Sequence, residues 1–268
     1  MNVLTCSIES ERAKSLARVL NVTRVQGSQD NEKGFYRALH RACDAGINTD
    51  GSTIGGKNEL FYGIRAYEIA RYEGVQHYLY SSVDYPLKDT NRNAKYHWGH
   101  NDAKGRVADF ILAQGQQGMT SSIIMTGPYM NMAYDGMFVP HEQEDGSIIW
   151  ANPARKYSHI CLSPVFLLIF MYLEVDGKFP LIAVKDMGPY SLWMFDNINE
   201  SAGLALKIAT DEISFADIAT TFTQATGKKA IHRCVALKRY FPTAEPYPNA
   251  PANKCLPSTP MKRGARQT

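Results

Sequence analysis

"HYLYSSVDY", residues His77–Tyr85, decides how the rest of the chain is read. Its first half is a run of large, strand-favouring side chains, and Ser81, Ser82 and Asp84 turn it polar at its end. That is the pattern of a buried strand leaving its sheet. Immediately upstream, Asn58–Tyr72 carries Leu60, Ile64, Tyr67 and Ile69 at spacings that suit the buried face of a helix. Further upstream the same alternation repeats. Asn2–Thr5 and Val22–Gly27 read as strands, Ser10–Leu20 (with Ser10 as cap) and Asn31–Ala42 as helices, and "AGINTDG" as a short strand with its turn. Downstream, the spacing predicts a helix over Ala103–Gln114 and a strand over Ser121–Gly127, after an Asn/Asp-rich loop. A strand at Phe179–Val184, a helix at Met187–Ile198, a strand at Gly203–Ala209, a helix at Ser214–Ala225 and a strand in "KAIHRCVAL" complete the series. Strands alternating with helices at this interval call for parallel pairing through right-handed crossovers, hence an α/β doubly wound sheet.

Composition narrows the function classes. The chain has 268 residues, 44% of them hydrophobic and 21% charged, enough for a large core. Its net charge of +3 is spread among interspersed acids and bases, so no nucleic-acid footprint is expected. Five cysteines without a C-x-x-C pair argue against a disulfide framework and for a reducing compartment, and the first dozen residues carry Ser, Glu and Arg instead of an apolar signal core. A cytoplasmic protein is therefore expected. One apolar run, "ICLSPVFLLIFMYL" (Ile160–Leu173), is shorter than the roughly 20 residues of a membrane span and contains Pro164, so no membrane anchor is expected.

Several motifs in this order resemble the NmrA-like branch of the atypical short-chain dehydrogenase/reductases: "NTDG" followed by "ELFYGIRAYEIA", then "GVQHYLYSSVDY", "HNDAKGRVADFI", "TGPYMNM", "PLIAVKDMGPY" and "ATGKKAIH". The resemblance runs from Met1 to about Val235 and implies a Rossmann-like fold with a smaller C-terminal substrate lobe. Residues 1–127 correspond to the dinucleotide-binding part, 128–240 to the substrate lobe and remaining sheet elements, and 241–268 to a basic tail expected to be disordered. In this alignment "NVLT" resembles the family's second strand, which places the first strand and its glycine-rich phosphate loop before Met1. The glycines of "DGSTIGGKN" read as turn residues rather than a substitute loop. Residues 156–175 interrupt the family pattern as an insertion. Because Arg155-Lys156-Tyr157 can be encoded with GTAAGT, a 5′ splice signal, a translated intron is one hypothesis, which a mature transcript retaining those codons would refute.

The resemblance also supplies site candidates. Lys104 matches the family's helix lysine, which reaches the ribose hydroxyls of the nicotinamide half; an ordinary surface lysine is the bland alternative. Short-chain dehydrogenases pair such a lysine with a tyrosine four residues earlier as proton carrier. Here that position is His100, whose imidazole can exchange protons near neutrality, and Tyr96 is a weaker alternative. Ser81 and Ser82, with Thr49 and Asp50, end strands that in this architecture open on the cofactor crevice. Tyr129, Met130 and Asn131 are placed by "TGPYMN" around the nicotinamide or substrate, with core packing as the competing explanation. Where the family meets a 2′-phosphate with arginine, this chain has Cys6, and Arg12 or Lys14 could substitute; Ser28 stands where relatives carry an aspartate near the adenine. His97-x-x-His100 with Asp102 lacks a third well-spaced ligand, so no metal is expected.

The resulting expectation is an NAD(P)-dependent oxidoreductase acting on a small organic substrate, with NADP favoured over NAD and fungal secondary metabolism as the setting the resemblance suggests. The alternatives are a non-catalytic NAD(P)-sensing regulator that binds a partner protein, and a defective gene product.

Overall fold

The computed structural model describes residues 1–49, 55–134, 139–153 and 177–235. Asp50, the apolar insertion at 156–175 and the tail at 241–268 lie outside them. In chain order the elements are β1 (Asn2–Thr5), α1 (Glu11–Leu16), β2 (Thr23–Gln26), α2 (Glu32–Leu39), β3 (Asp44–Ile47), α3 (Gly56–Tyr72), β4 (His77–Ser82), α4 (Pro86–Asp89), α5 (Gly99–Ala113) and β5 (Thr120–Thr126). They continue with β6 (His141–Glu142), β7 (Ile148–Pro153), β8 (Phe179–Leu181), α6 (Val184–Asp196), α7 (Ile198–Ser201), β9 (Ala205–Ile208), β10 (Asp211–Ile213), α8 (Phe215–Thr226) and β11 (Ala230–Val235). Among the described residues no helix is long and apolar enough to cross a membrane.

The chain divides into two compact units. The first comprises Met1–Lys88, Gly99–Gly127 and Val184–Ile208. Its main sheet is wholly parallel in the order β3-β4-β5-β9, and β1 and β2 form a separate parallel pair. Among the described residues β1 and β3 share no hydrogen-bonded register. Strand β4 is covered on both faces, as the opening stretch predicts: five of its six residues are buried. Tyr78 and Tyr80 face a core shared with Phe35 and Leu39 of α2, Ala66, Tyr67 and Ala70 of α3, and Val107 and Ile111 of α5. On the other face, the His77 ring meets Phe195 of α6 edge-on, and Ser122 Oγ donates to Ser201 O of α7. This two-sided covering is the doubly wound arrangement.

Local chemistry sets the boundaries. Ser10 caps α1 by accepting from Ala13 N, but the helix ends at Leu16, short of the predicted Leu20. Leu20 is 85% exposed, so its apolar character contributed to the predicted stripe without any core to receive it. Conversely α5 starts at Gly99, four residues before the predicted Ala103, because its first turn is polar and carries no apolar period.

The second unit comprises Asp89–Trp98, Pro128–Ala183 and Ala209–Thr268. Its three-stranded sheet runs β11-β7-β6, and β8 pairs antiparallel with β10. Ile148, Trp150, Phe179, Leu181, Phe215 and Ala219 form its core, with Met130 packed at the margin. Helix α8 begins on a reciprocal capping box between Ser214 and Asp217 and ends on Gly227 in the left-handed region.

Candidate functional site

The site is built where α3 and α5 start side by side at the carboxyl ends of β3 and β4. A Cβ on Gly56 would lie 2.4 Å from Gly99 O, and one on Gly63 would lie 2.7 Å from a methyl of Val107. The two helices therefore run in the same direction at a separation that only glycine permits. Gly56 was expected to be a turn residue; it is instead the first residue of α3 and a packing glycine, while Gly55 before it has φ +80°.

This contact brings Glu59 of α3 against His100 and Lys104 of α5. Lys104 and His100 are one helical turn apart and share a face. Lys104 sits in the second turn of its helix and is 4% exposed. Its Nζ donates to Asn48 Oδ1 at 2.8 Å and to Ser81 O at 3.1 Å, and lies 3.6 Å from Glu59 Oε1. It also stands 5.4 Å from the centre of the Tyr80 ring. Glu59 is fully buried. Its Oε1 accepts from Thr49 Oγ1 at 3.2 Å, and its Oε2 lies 2.6 Å from His100 Nδ1. Since Thr49 gives its one hydroxyl proton to Glu59, the 2.9 Å contact between Thr49 Oγ1 and Tyr80 OH has the phenol as donor. Burial pushes the Tyr80 phenol well above its usual range, which suits it to hold a hydrogen bond rather than exchange protons.

Of the expected site residues, the structure gathers Lys104, His100 and Thr49 into one hydrogen-bonded group. Ser81 joins through its backbone carbonyl rather than its hydroxyl. Ser82 is buried at the end of β4, and its hydroxyl donates to Val83 O at 3.3 Å. Arg12 is exposed on α1, and among the described residues it is not joined to this group. Ser28 donates to the carboxylate of Asp30. Tyr129 and Asn131 belong to the second unit, where Tyr129 bridges to Ile182 and the buried Asn131 Oδ1 has no hydrogen-bond partner among the described residues. Asp102 holds α4 by accepting from Leu87 N at 3.1 Å, and among the described residues no group of three His, Cys, Asp or Glu side chains is placed to hold a metal ion.

Sequence reasoning missed Glu59, Asn48 and Tyr80. Glu59 had a readable signal: with Gly63, Ala66, Tyr67 and Ala70 it falls on one inward stripe of α3, where an acidic residue is out of place unless paired.

A sequence model of the NmrA-like family matches residues 2–254. Among solved structures, the fold is similar to that of NmrA, a negative transcriptional regulator, in complex with NADP: 21% identity over 93% of this chain and 69% of that one, TM-score 0.67. It is similar in the same degree to NmrA in complex with NAD, at 21% identity, 92% and 68% coverage and TM-score 0.67. The Citrobacter sp. triphenylmethane reductase complexed with NADP(H) is a more distant likeness, with 12% identity, 89% and 70% coverage and TM-score 0.59. The chain thus spans about two thirds of the length of the NmrA chains it matches.

Proposed function

The chain belongs to the NmrA-like family, and from that premise we propose that it binds a nicotinamide dinucleotide beyond the carboxyl ends of β3 and β4 and moves a hydride to or from a small organic substrate. The observation that carries this reading is the placement of Lys104. A lysine with a merely superficial role would keep its ammonium in water; this one is buried and held by Asn48, Ser81 and Glu59 at the carboxyl ends of parallel strands, the end at which ligands collect in this architecture. A ribose hydroxyl beside Lys104 would meet an ammonium already oriented by Asn48 and Ser81. The residues present fit the nicotinamide-ribose half of such a ligand. When bound, the nicotinamide ring supplies or takes the hydride. Lys104 would hold the ribose hydroxyls, His100 would carry the proton, and Thr49, Asp50, Ser81 and Ser82 would border the crevice. Arg12 is our candidate for a 2′-phosphate, which favours NADP over NAD.

A second reading, an NAD(P)-sensing regulator that binds a partner protein, is favoured by His100 standing where a tyrosine would complete Tyr-x-x-x-Lys. The similar NmrA structures belong to a negative transcriptional regulator with NADP or NAD bound.

Titrating the full chain with NADPH and with NADH, followed by nucleotide fluorescence, tests both readings. Saturable binding that Lys104→Ala weakens at least tenfold is expected. Absence of binding at millimolar nucleotide would overturn both, and binding without oxidation of NADPH across a panel of carbonyl compounds would favour the regulator.

A further inference from the structure

Glu59 has more to do than neutralise Lys104. Its Oε1 already meets Lys104 and Thr49, yet Oε2 makes the shorter contact, 2.6 Å to His100 Nδ1. A carboxylate offers only acceptors, so that contact places a proton on Nδ1. In a neutral imidazole the other nitrogen then carries the lone pair. The His100 side chain is 24% exposed while the carboxylate behind it is fully buried, so Nε2 is the ring nitrogen left to meet a ligand.

We propose that Glu59 and His100 form a proton-transfer couple: Glu59 is a positioning residue that fixes the Nδ1–H tautomer, and His100 Nε2 is the acid/base nitrogen. A carboxylate orienting a histidine in this way selects the tautomer and stabilises the imidazolium once it forms. In the direction of oxidation, the substrate's O–H proton passes to Nε2 while its C–H hydride leaves to an oxidised nicotinamide; the C=O forms, and the new positive charge lies beside Glu59. Reduction is the reverse. The catalytic use of the couple rests on the nucleotide-binding reading above, but the tautomer does not, and the two are tested separately.

The test is a two-bond proton–nitrogen NMR correlation spectrum of the uniformly labelled full chain, recorded where His100 is neutral and assigned by comparison with His100→Asn. A protonated Nδ1 and an unprotonated Nε2 are expected. In Glu59→Gln the amide oxygen keeps Thr49 and Lys104, and the amide N–H turns toward Nδ1, so the ring should switch to the Nε2–H tautomer; Glu59→Asp, which retains the charge, should restore Nδ1–H. A wild-type ring already in the Nε2–H form overturns the proposal, as does a tautomer indifferent to Glu59→Gln. Should Glu59→Gln fail to fold, the wild-type spectrum decides alone. The expected tautomer in a chain that binds neither NADPH nor NADH would overturn the nucleotide reading and with it the proton transfer, leaving only Glu59's hold on the His100 tautomer.

Discussion

At the scale of single residues, the site is a buried charge cluster, and its members depend on one another. Removing Lys104 leaves the fully buried Glu59 without its ammonium, and breaking such a pair from one side costs about 3–5 kcal/mol. Lys104→Ala should therefore destabilise the fold by that order, and Lys104→Met combined with Glu59→Gln should recover most of the loss, because no uncompensated charge remains. Urea denaturation of the single and double variants checks this; a double variant no more stable than Lys104→Ala would contradict it. His77 makes a different contribution. Its Nε2 donates to Ser122 Oγ at 2.9 Å, since the Ser122 proton goes to Ser201 O, and its buried Nδ1 has no hydrogen-bond partner among the described residues. Burial pushes its pKa below the ordinary 6.5, against the opposing charge of Asp44. The unfolded chain therefore takes up a proton that the native state resists. His77 costs no stability above about pH 6.5, and stability falls as pH drops from there toward the depressed native value, by at most about 1.4 kcal/mol per pH unit. Measured between pH 7 and 5.5, His77→Gln should show a flatter profile than the wild type. Asp145 and Asp217, held below the usual carboxylate range by Ser147 and Ser214, lose their contributions only at more acid pH. Lys104 and His100 were legible at this scale because the resemblance places them. Their shared carboxylate was not, since a sequence does not display which residue a buried charge will meet.

At the scale of elements, the α3–α5 contact is what assembles the site. Gly56→Ala would push a methyl group into the backbone oxygen of Gly99, whose helix cannot yield without moving His100 and Lys104. A loss of about 1–3 kcal/mol is expected from such overpacking. Gly99→Ala is the control, because a Cβ there meets nothing within 4 Å. Thermal melts of the two variants should differ in that order, and equal melting temperatures would mean that the helices separate more easily than their geometry implies. The long, strongly patterned α3 was readable almost to the residue, whereas the starts of α5 and α6 were not. Periodicity reports burial along one element; the polar first turn of α5 is placed by its neighbour, which periodicity does not encode.

At the scale of the whole chain, nucleotide binding and stability are linked. NADPH at a hundred times its dissociation constant should stabilise the fold by about 2.7 kcal/mol, visible as a higher melting temperature in the titrated samples. An unchanged melt under conditions of measured binding would mean that the nucleotide engages folded and unfolded chains alike. The sequence by itself determined the α/β class, the parallel order implied by alternating strands and helices, and the family, because these follow from repeated local patterns of side-chain size and polarity. Only the tertiary structure decided that Glu59 links Lys104 and His100, which are 45 and 41 residues away along the chain. That link depends on a glycine-sized gap between two helices, and the physical reason is packing: whether a buried carboxylate finds a lysine, a histidine or both is settled by which helix faces come within hydrogen-bond reach, not by the residues on either side of it.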